Sequence, residues 1–149
     1  MLYTLKIITP PSVEPVTVDE VKLHTRIDQD VEDSILTTWI KSARQLAEAF
    51  QNRAFVTQTL EMTLDAFPRL PVEIPRAPLQ AIDNIKYYDY QNTETALELN
   101  DFIIDTGGES KGRIGFAHNK QWPCVMLRPL SAVKIVFAAG YGDDAADVP

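Results

Sequence analysis

The sequence predicts an α+β fold in which an N-terminal helical hairpin or bundle carries an antiparallel β-rich insertion. Apolar residues recur with a helical period up to about residue 53, and the period becomes two from about residue 54. Because the helices precede the strands and do not alternate with them, a parallel sheet of βαβ units is disfavoured. We therefore expect a single domain over residues 1–149, with a helical part at about 15–53 and a β-rich part at about 54–140.

The first helix is predicted over residues 18–26. Thr17 and Glu20 have the spacing of a capping box, in which each side chain bonds the backbone N–H of the other residue. A helix this short is marginal in isolation, so it has to pack against another element.

A second helix is predicted over residues 31–51. Asp30 is a suitable N-cap, and Asn52 suits the position where the helix ends. We expect the two helices to pack together. The apolar residues of the second helix recur at helical spacing: Val31, Ile35, Leu36, Trp39, Ile40, Ala43, Leu46, Ala47 and Phe50.

The strands are predicted from alternation of apolar and polar residues. Val56, Leu60, Met62 and Leu64 alternate with polar residues, which is typical of a half-buried strand. Two later pairs of strands are expected to form hairpins. In chain order the predicted strands lie at residues 55–64, 72–74, 82–90, 93–97, 102–104, 113–116 and 133–137.

Composition excludes several functional classes. The chain has 149 residues, one cysteine and a net charge of -7, from 14 Lys and Arg against 21 Asp and Glu. A single cysteine allows no internal disulfide. An acidic protein with scattered basic residues gains little from counterion release, so we expect poor binding of free protein to duplex DNA. Residues 1–9 lack the basic start and cleavage pattern of a signal peptide, and no apolar run is long enough to span a bilayer.

Four acidic residues resemble the start of a calcium-binding loop: Asp28, Asp30, Glu32 and Asp33. The pattern then fails, because Asp33 stands where the sharp-turn glycine is needed and Trp39 where the closing glutamate is needed. Helix capping explains the same acids, so we expect no metal site.

No catalytic constellation is visible either. His24, His118 and Cys124 have no evident partner for nucleophilic catalysis or zinc binding. Acidic residues that could form a carboxylate pair lie at strand ends and turns: Asp65, Asp89, Asp105 and Glu109. We therefore predict no enzymatic activity, no catalytic residue and no cofactor.

Aromatic and glycine-rich positions of the β-rich part are the predicted contact sites for other subunits. Tyr88 and Tyr90 lie on one strand, where packing against a core or an interface is the usual role of tyrosine. Gly107, Gly108, Lys111 and Gly112 lack the order of a phosphate-binding loop and indicate a mobile hairpin turn. Such positions suit an interface that forms late in assembly.

An ordered series of short motifs gives the sequence a family resemblance. The series is Thr9-Pro10-Pro11, Pro15-Val16-Thr17-Val18-Asp19-Glu20-Val21-Lys22, Arg26-Ile27-Asp28, Ala43-Arg44, Asn52-Arg53-Ala54-Phe55, Thr57-Gln58-Thr59-Leu60, Leu64-Asp65-Ala66-Phe67-Pro68, Ile74-Pro75-Arg76-Ala77-Pro78-Leu79, Ile85-Lys86-Tyr87-Tyr88-Asp89 and Phe137-Ala138-Ala139-Gly140-Tyr141-Gly142. In this order the motifs resemble the head–tail connector (adaptor) proteins of tailed phages and prophages, some of which are described as possible DNA-packaging proteins.

The resemblance implies a structural protein of the virion. It implies a homo-oligomeric ring at the head–tail junction, assembled in the bacterial cytoplasm, with the portal protein and tail-side completion proteins as partners. The genome would pass through the centre of the ring, without sequence-specific nucleic acid binding and without a membrane. The resemblance carries over no catalytic residue, and it implies a further C-terminal helix that is missing after residue 149.

Two other classes of function stay open at this point. One is a small phage-encoded accessory enzyme, and the other is a monomeric binding module, each with a site assembled only in the fold. Titratable groups clustered in a deep pocket would favour the enzyme, whereas a large apolar surface without a pocket would favour assembly.

Overall fold

The computed structural model describes residues 2–27 and 29–149; Met1 and Asp28 lie outside the described residues. Within these ranges the chain forms two α-helices and eight β-strands. They are, in chain order, β1 (Thr4–Thr9), α1 (Val18–Thr25), α2 (Asp33–Gln51), β2 (Gln58–Leu64), β3 (Val72–Glu73), β4 (Leu79–Tyr88), β5 (Glu94–Leu97), β6 (Phe102–Asp105), β7 (Arg113–Phe116) and β8 (Val133–Ala139). No helix in the described part of the chain combines the length and apolar character needed to cross a membrane.

The main sheet has five antiparallel strands in the order β1-β2-β8-β4-β5. Its centre is a cross-strand row in which Met62 faces Ile135 and Ile135 faces Ile85. All three side chains are buried. Because side chains alternate between the two faces of a strand, this row and its neighbours at every second position give the sheet one apolar face.

A second, three-stranded sheet in the order β3-β7-β6 shares the apolar core of the main sheet. Aromatic side chains join the two sheets. The ring of Trp122 stacks on Phe67 with 4.7 Å between centroids and lies 5.5 Å from the ring of Phe102. The Trp122 indole N–H donates to the carbonyl of Pro68 at 2.7 Å, so the polar atom of this large side chain is satisfied.

Local sequence signals are confirmed over much of the chain. The predicted first helix is α1, and its capping box is present, with both Thr17 and Glu20 bonding the other's backbone N–H. Asn52 ends α2 in the left-handed conformation, with φ of 53°. The hairpins β4–β5 and β6–β7 were both predicted. Strand β1 was not, because it forms by pairing with β2, whose paired residues lie 50 to 59 positions further along the chain, from Thr9↔Thr59 to Thr4↔Thr63.

The prediction of Asp30 as the N-cap of the second helix is wrong. Residues Asp30–Glu32 form a single 3₁₀ turn, and α2 begins at Asp33 after Glu32, whose side chain caps nothing. The Asp30 carboxylate instead pairs with Lys22 of α1 at 2.7 Å. The Asp30 side chain therefore bonds Lys22 and not the backbone N–H groups at the start of α2.

The predicted N-terminal helical hairpin or bundle with a β insertion is also wrong, although α+β remains a fair broad description. The described chain is mostly β, and strand β1 precedes both helices and belongs to the main sheet. Helix α1 contains no buried residue, and the buried residues of α2 are Leu36, Arg44 and Glu48. Apolar periodicity predicted a helix correctly, but it does not specify which face of that helix the rest of the chain covers.

Candidate assembly surface

Helix α2 is attached to the rest of the protein by a buried ionic network. The Arg44 guanidinium donates to Glu14 at 2.6 Å and to Glu48 at 2.8 Å. The other oxygen of Glu48 accepts from the backbone N–H of Phe55 at 2.8 Å and from the Gln58 amide at 2.9 Å. The network therefore ties α2 both to the segment before α1 and to the start of β2.

This network decides how α2 is oriented. Arg44 and Glu48 are only 4% and 3% exposed, and a buried charge is tolerated when it is paired and hydrogen-bonded. Burial pushes the pKa of Arg44 down, but hydrogen bonds and charge interactions with Glu14 and Glu48 outweigh it and hold that pKa above its ordinary value. The side of α2 that carries Arg44 and Glu48 thus faces inward together with Leu36, and most of the large apolar residues of this helix are exposed.

The large apolar residues of α2 form an exposed stripe. Ile35, Trp39, Leu46 and Phe50 are 49%, 64%, 73% and 91% exposed. With 3.6 residues per turn they fall within an arc of about 60° and extend over about 22 Å of helix. We call these four residues the α2 stripe. Its exposed area is on the order of 500 Å², the size of the largest patch on a typical monomer, which is often functional.

A second exposed apolar surface lies at the end of the main sheet, and we call it the loop patch. Its residues are Tyr90, Val125, Met126 and Leu130. The backbone N–H of Tyr90 donates to the carbonyl of Met126 at 2.9 Å, which joins the turn after β4 to the segment before β8. The loop patch therefore combines residues that are about 35 positions apart in sequence.

The two predicted tyrosines have different surroundings. The Tyr88 hydroxyl donates to Glu94, and the guanidinium of Arg128 lies 3.8 Å from the centre of its ring. The hydrogen bond to Glu94, with smaller contributions from burial and from the charge of Glu94, raises the pKa of Tyr88. Tyr88 is therefore engaged within its own chain, whereas Tyr90 is exposed in the loop patch.

The predicted glycine-rich hairpin belongs to the other sheet, where it connects β6 to β7. Gly107 and Gly108 have φ of 69° and 57°, which the turn requires and which other residues adopt at a cost. Lys111 pairs with Glu73 of β3 at 3.1 Å. Gly112 is buried and closely packed, so its role within the fold is structural. Contact of these residues and of the tyrosines with other subunits stays a prediction.

The acidic residues considered for catalysis do not meet in one site. Asp65 accepts from the backbone N–H of Ser131, and Asp89 accepts from two N–H groups of its own turn. Asp105 pairs with Arg113 at 2.5 Å, and this hydrogen bond, followed by one from the Gly107 N–H, lowers the pKa of Asp105. Asp65, Asp89 and Asp105 thus each bond a structural partner at a different place in the fold.

The described residues also bring no metal-ligand set together. In residues 2–27 and 29–149, no group of three His, Cys, Asp or Glu side chains is arranged to hold a metal ion. Asp30 and Asp33 of the suspected calcium loop both pair with Lys22 and raise its pKa to about 12, while Asp28 lies outside the described residues. Grooves of 250 to 490 Å³ mark the described surface, and their linings contain neither histidine nor cysteine.

A β-rich body with extended exposed apolar surfaces is common among structural proteins that work in assemblies. Residues 15–101, more than half of the chain, match the family of the phage gp6-like head-tail connector protein. The chain belongs to this family of structural connectors. A search among curated proteins finds no sequence that matches it.

Solved structures with the same fold come from gene transfer agent (GTA) particles. A chain in the virion of the native GTA particle aligns with a TM-score of 0.79 and 22% identity, over 97% of this chain and 75% of that chain. A chain in the neck of the empty particle, computed with C6 symmetry, gives 0.78 and 22% over 98% and 75%. A chain in the neck of the native particle, computed with C12 symmetry, gives 0.72 and 18% over 98% and 74%. At these identities the likeness establishes the shared fold.

The sequence thus predicted the family but only part of the surface. Its helical period marked every residue of the α2 stripe as apolar, yet the hairpin prediction placed them in a helical core. Met126 and Leu130 carried no signal, because they lie in a segment without regular structure between β7 and β8. The backbone bond from the Tyr90 N–H to the Met126 carbonyl, which brings this segment to the turn after β4, is a long-range feature of the fold.

Proposed function

We propose that this protein forms a ring that joins the capsid portal to tail-side proteins, with the genome passing through the centre of the ring. The observation that carries the proposal is the family match over residues 15–101. The fold shared with chains from necks computed with C6 and C12 symmetry supports the ring. The protein would then be a part of the virion at the head–tail junction, assembled in the cytoplasm of the host.

The exposed apolar surfaces support assembly over catalysis. The α2 stripe and the loop patch are exposed apolar surfaces, and in residues 2–27 and 29–149 no group of three His, Cys, Asp or Glu side chains is arranged to hold a metal ion. Apolar area exposed on this scale costs free energy in water, and association with another protein surface recovers it. An enzyme would require acids, bases or nucleophiles that converge on a substrate, and Asp65, Asp89 and Asp105 instead bond separate structural partners. We propose that the protein has no catalytic role.

The charge of the protein suits a passage for DNA. With a net charge of -7, the protein offers phosphates little that would release counterions and hold the duplex in place. A ring of such subunits would surround the genome and let it slide. Sequence-specific contacts with bases have no part in this proposal.

The experiment that tests the proposal is light scattering of the protein alone and mixed with the portal protein of its own phage. We expect a monomer at micromolar concentration without portal, because each contact in a ring is weak until a docking platform raises the local concentration. With portal present, the mass should increase by a whole ring of subunits. Absence of any portal association, under conditions where a known connector binds its own portal, would contradict the proposal.

The same measurement on a Tyr88→Ala, Tyr90→Ala variant tests the predicted contact sites separately. If these tyrosines contact neighbouring subunits or the portal, the variant should bind portal more weakly than the wild type. Equal binding would remove the tyrosines from the contact and leave the ring proposal intact.

A further inference from the structure

The α2 stripe and the loop patch are two different apolar surfaces on one chain, and both are exposed in the part of the chain that the structure describes. Their exposed areas are similar, each on the order of 400 to 500 Å². If one surface covered the other between two copies, about 1,000 Å² would be buried in total, which is typical of a weak or transient specific interface. This matches a protein that associates only when a platform concentrates it.

We infer that the α2 stripe of one copy receives the loop patch of the next copy around the ring. This inference rests on the proposed function, because it takes the partner to be a second copy of the chain. Contact between two different patches is heterologous, so repetition of the same contact generates a ring when the rotation closes. Contact between two α2 stripes would be isologous and would stop at a dimer.

The chemistry around both surfaces favours an apolar protein partner. The exposed residues of α2 next to the stripe include the small neutral side chains of Thr38 and Ser42. Beside the loop patch, Arg128 is already engaged with Asn92 at 2.7 Å and with the ring of Tyr88. Arg128, the cation beside the loop patch, is therefore already occupied. The small neutral residues beside the stripe can be covered by a second apolar surface without the cost of burying a charge.

Both surfaces are held in place before any contact forms. The ionic network of Arg44 and Glu48 fixes the face that α2 presents. The loop patch is fixed by two backbone hydrogen bonds: the N–H of Tyr90 donates to the carbonyl of Met126, and the N–H of Arg128 donates to the carbonyl of Tyr88. A preorganised surface loses little conformational entropy on binding, so burial of a modest apolar area is enough to stabilise the contact between two copies.

Disulfide cross-linking tests this contact directly. Cys124 is exposed and directly precedes Val125 of the loop patch, and it is the only cysteine of the chain. Ser42 is exposed at the edge of the α2 stripe, and Ser42→Cys changes only one side-chain atom. Under mild oxidation at several hundred micromolar, or on portal, the variant should give a ladder of dimers, trimers and higher oligomers, because each copy carries one half of each cross-link.

The wild type and two control variants distinguish the possible contacts. Wild type has one thiol per chain and should stop at a dimer at most. Ser34→Cys makes the same change on a part of α2 about 100° from the stripe. This variant should give at least tenfold less disulfide-linked oligomer than Ser42→Cys. Ser42→Cys combined with Cys124→Ser should stay monomeric, and efficient dimer formation by this variant would reveal stripe-to-stripe pairing and overturn the inference.

Two outcomes separate this inference from the proposed function. Rings that form on portal without a ladder from Ser42→Cys would overturn the contact and leave the connector role in place. Absence of both rings and ladder, under the conditions where a known connector assembles, would overturn both.

Discussion

At the scale of single residues, Gly112 is held by close packing. A Cβ atom at this position would lie 2.2 Å from Cδ2 of Leu79 and 2.5 Å from its Cβ, so the β4 backbone or the Leu79 side chain would have to move. We expect Gly112→Ala to lower the free energy of unfolding by about 1–3 kcal/mol, which urea denaturation would measure. Gly115→Ala is the matched control, because a Cβ there meets nothing within 4 Å. Equal stability of the two variants would refute this packing argument.

Arg44 is the residue on which the orientation of α2 depends. Arg44→Ala would leave the Glu48 carboxylate buried beside Gln58 and without its cation. Because an uncompensated buried charge is strongly unfavourable, we expect a loss of about 3–5 kcal/mol in thermal or urea unfolding. Lys111→Ala removes an exposed ion pair with Glu73 and should change stability by less than about 0.5 kcal/mol. A loss for Arg44→Ala no larger than that of the control would contradict the role assigned to the network.

Asp105 gives the fold a pH dependence of predictable sign. Its pKa in the folded protein is lowered, mainly by the hydrogen bond from Arg113. A lowered pKa stabilises the folded state above the pKa of the unfolded chain, and this contribution disappears as the pH falls through the folded-state value. We expect Arg113→Met to raise the pKa of Asp105 toward its ordinary value in an NMR titration, with Lys111→Met as control. An unchanged Asp105 titration in Arg113→Met would rule out this ion pair.

At the scale of elements, the sequence predicted what local patterns determine and missed what distant partners determine. The capping box of Thr17 and Glu20 and the alternation of Leu60, Met62 and Leu64 are local, and both were predicted correctly. Strand β1 depends on pairing with β2. Asp30 does not cap α2, because its carboxylate pairs with Lys22. Helical period identified α2, but its orientation depends on partners that only the fold supplies.

The α2 stripe leads to a prediction that separates assembly from stability. Because Trp39 and Phe50 are exposed in the monomer, the Trp39→Ser, Phe50→Ser variant should unfold within about 0.5 kcal/mol of the wild type. Leu36 is buried on the same helix, so Leu36→Ala should lower the free energy of unfolding by about 2–5 kcal/mol. Light scattering with portal should show full assembly for wild type and at least tenfold weaker assembly for the stripe variant. Undiminished assembly would remove the stripe from the contacts that build the ring.

At the scale of the whole molecule, the protein combines a rigid β-rich body with a helix whose apolar side faces outward. Two sheets with a shared core supply the stability, since β2, β8 and β4 contribute alternating buried residues to it. Helix α2 contributes little apolar burial and is fixed by ions instead. The apolar side of α2 is therefore available to partners. Such a surface suits a connector, whose role we propose is to bridge neighbouring subunits.

Electron microscopy of the protein assembled on its portal tests the central claim most directly. The account predicts class averages with a closed ring of this protein, coaxial with the portal and open at its centre for the passage of DNA. Subunits bound singly at scattered sites on the portal, or a compact oligomer without a central opening, would contradict it.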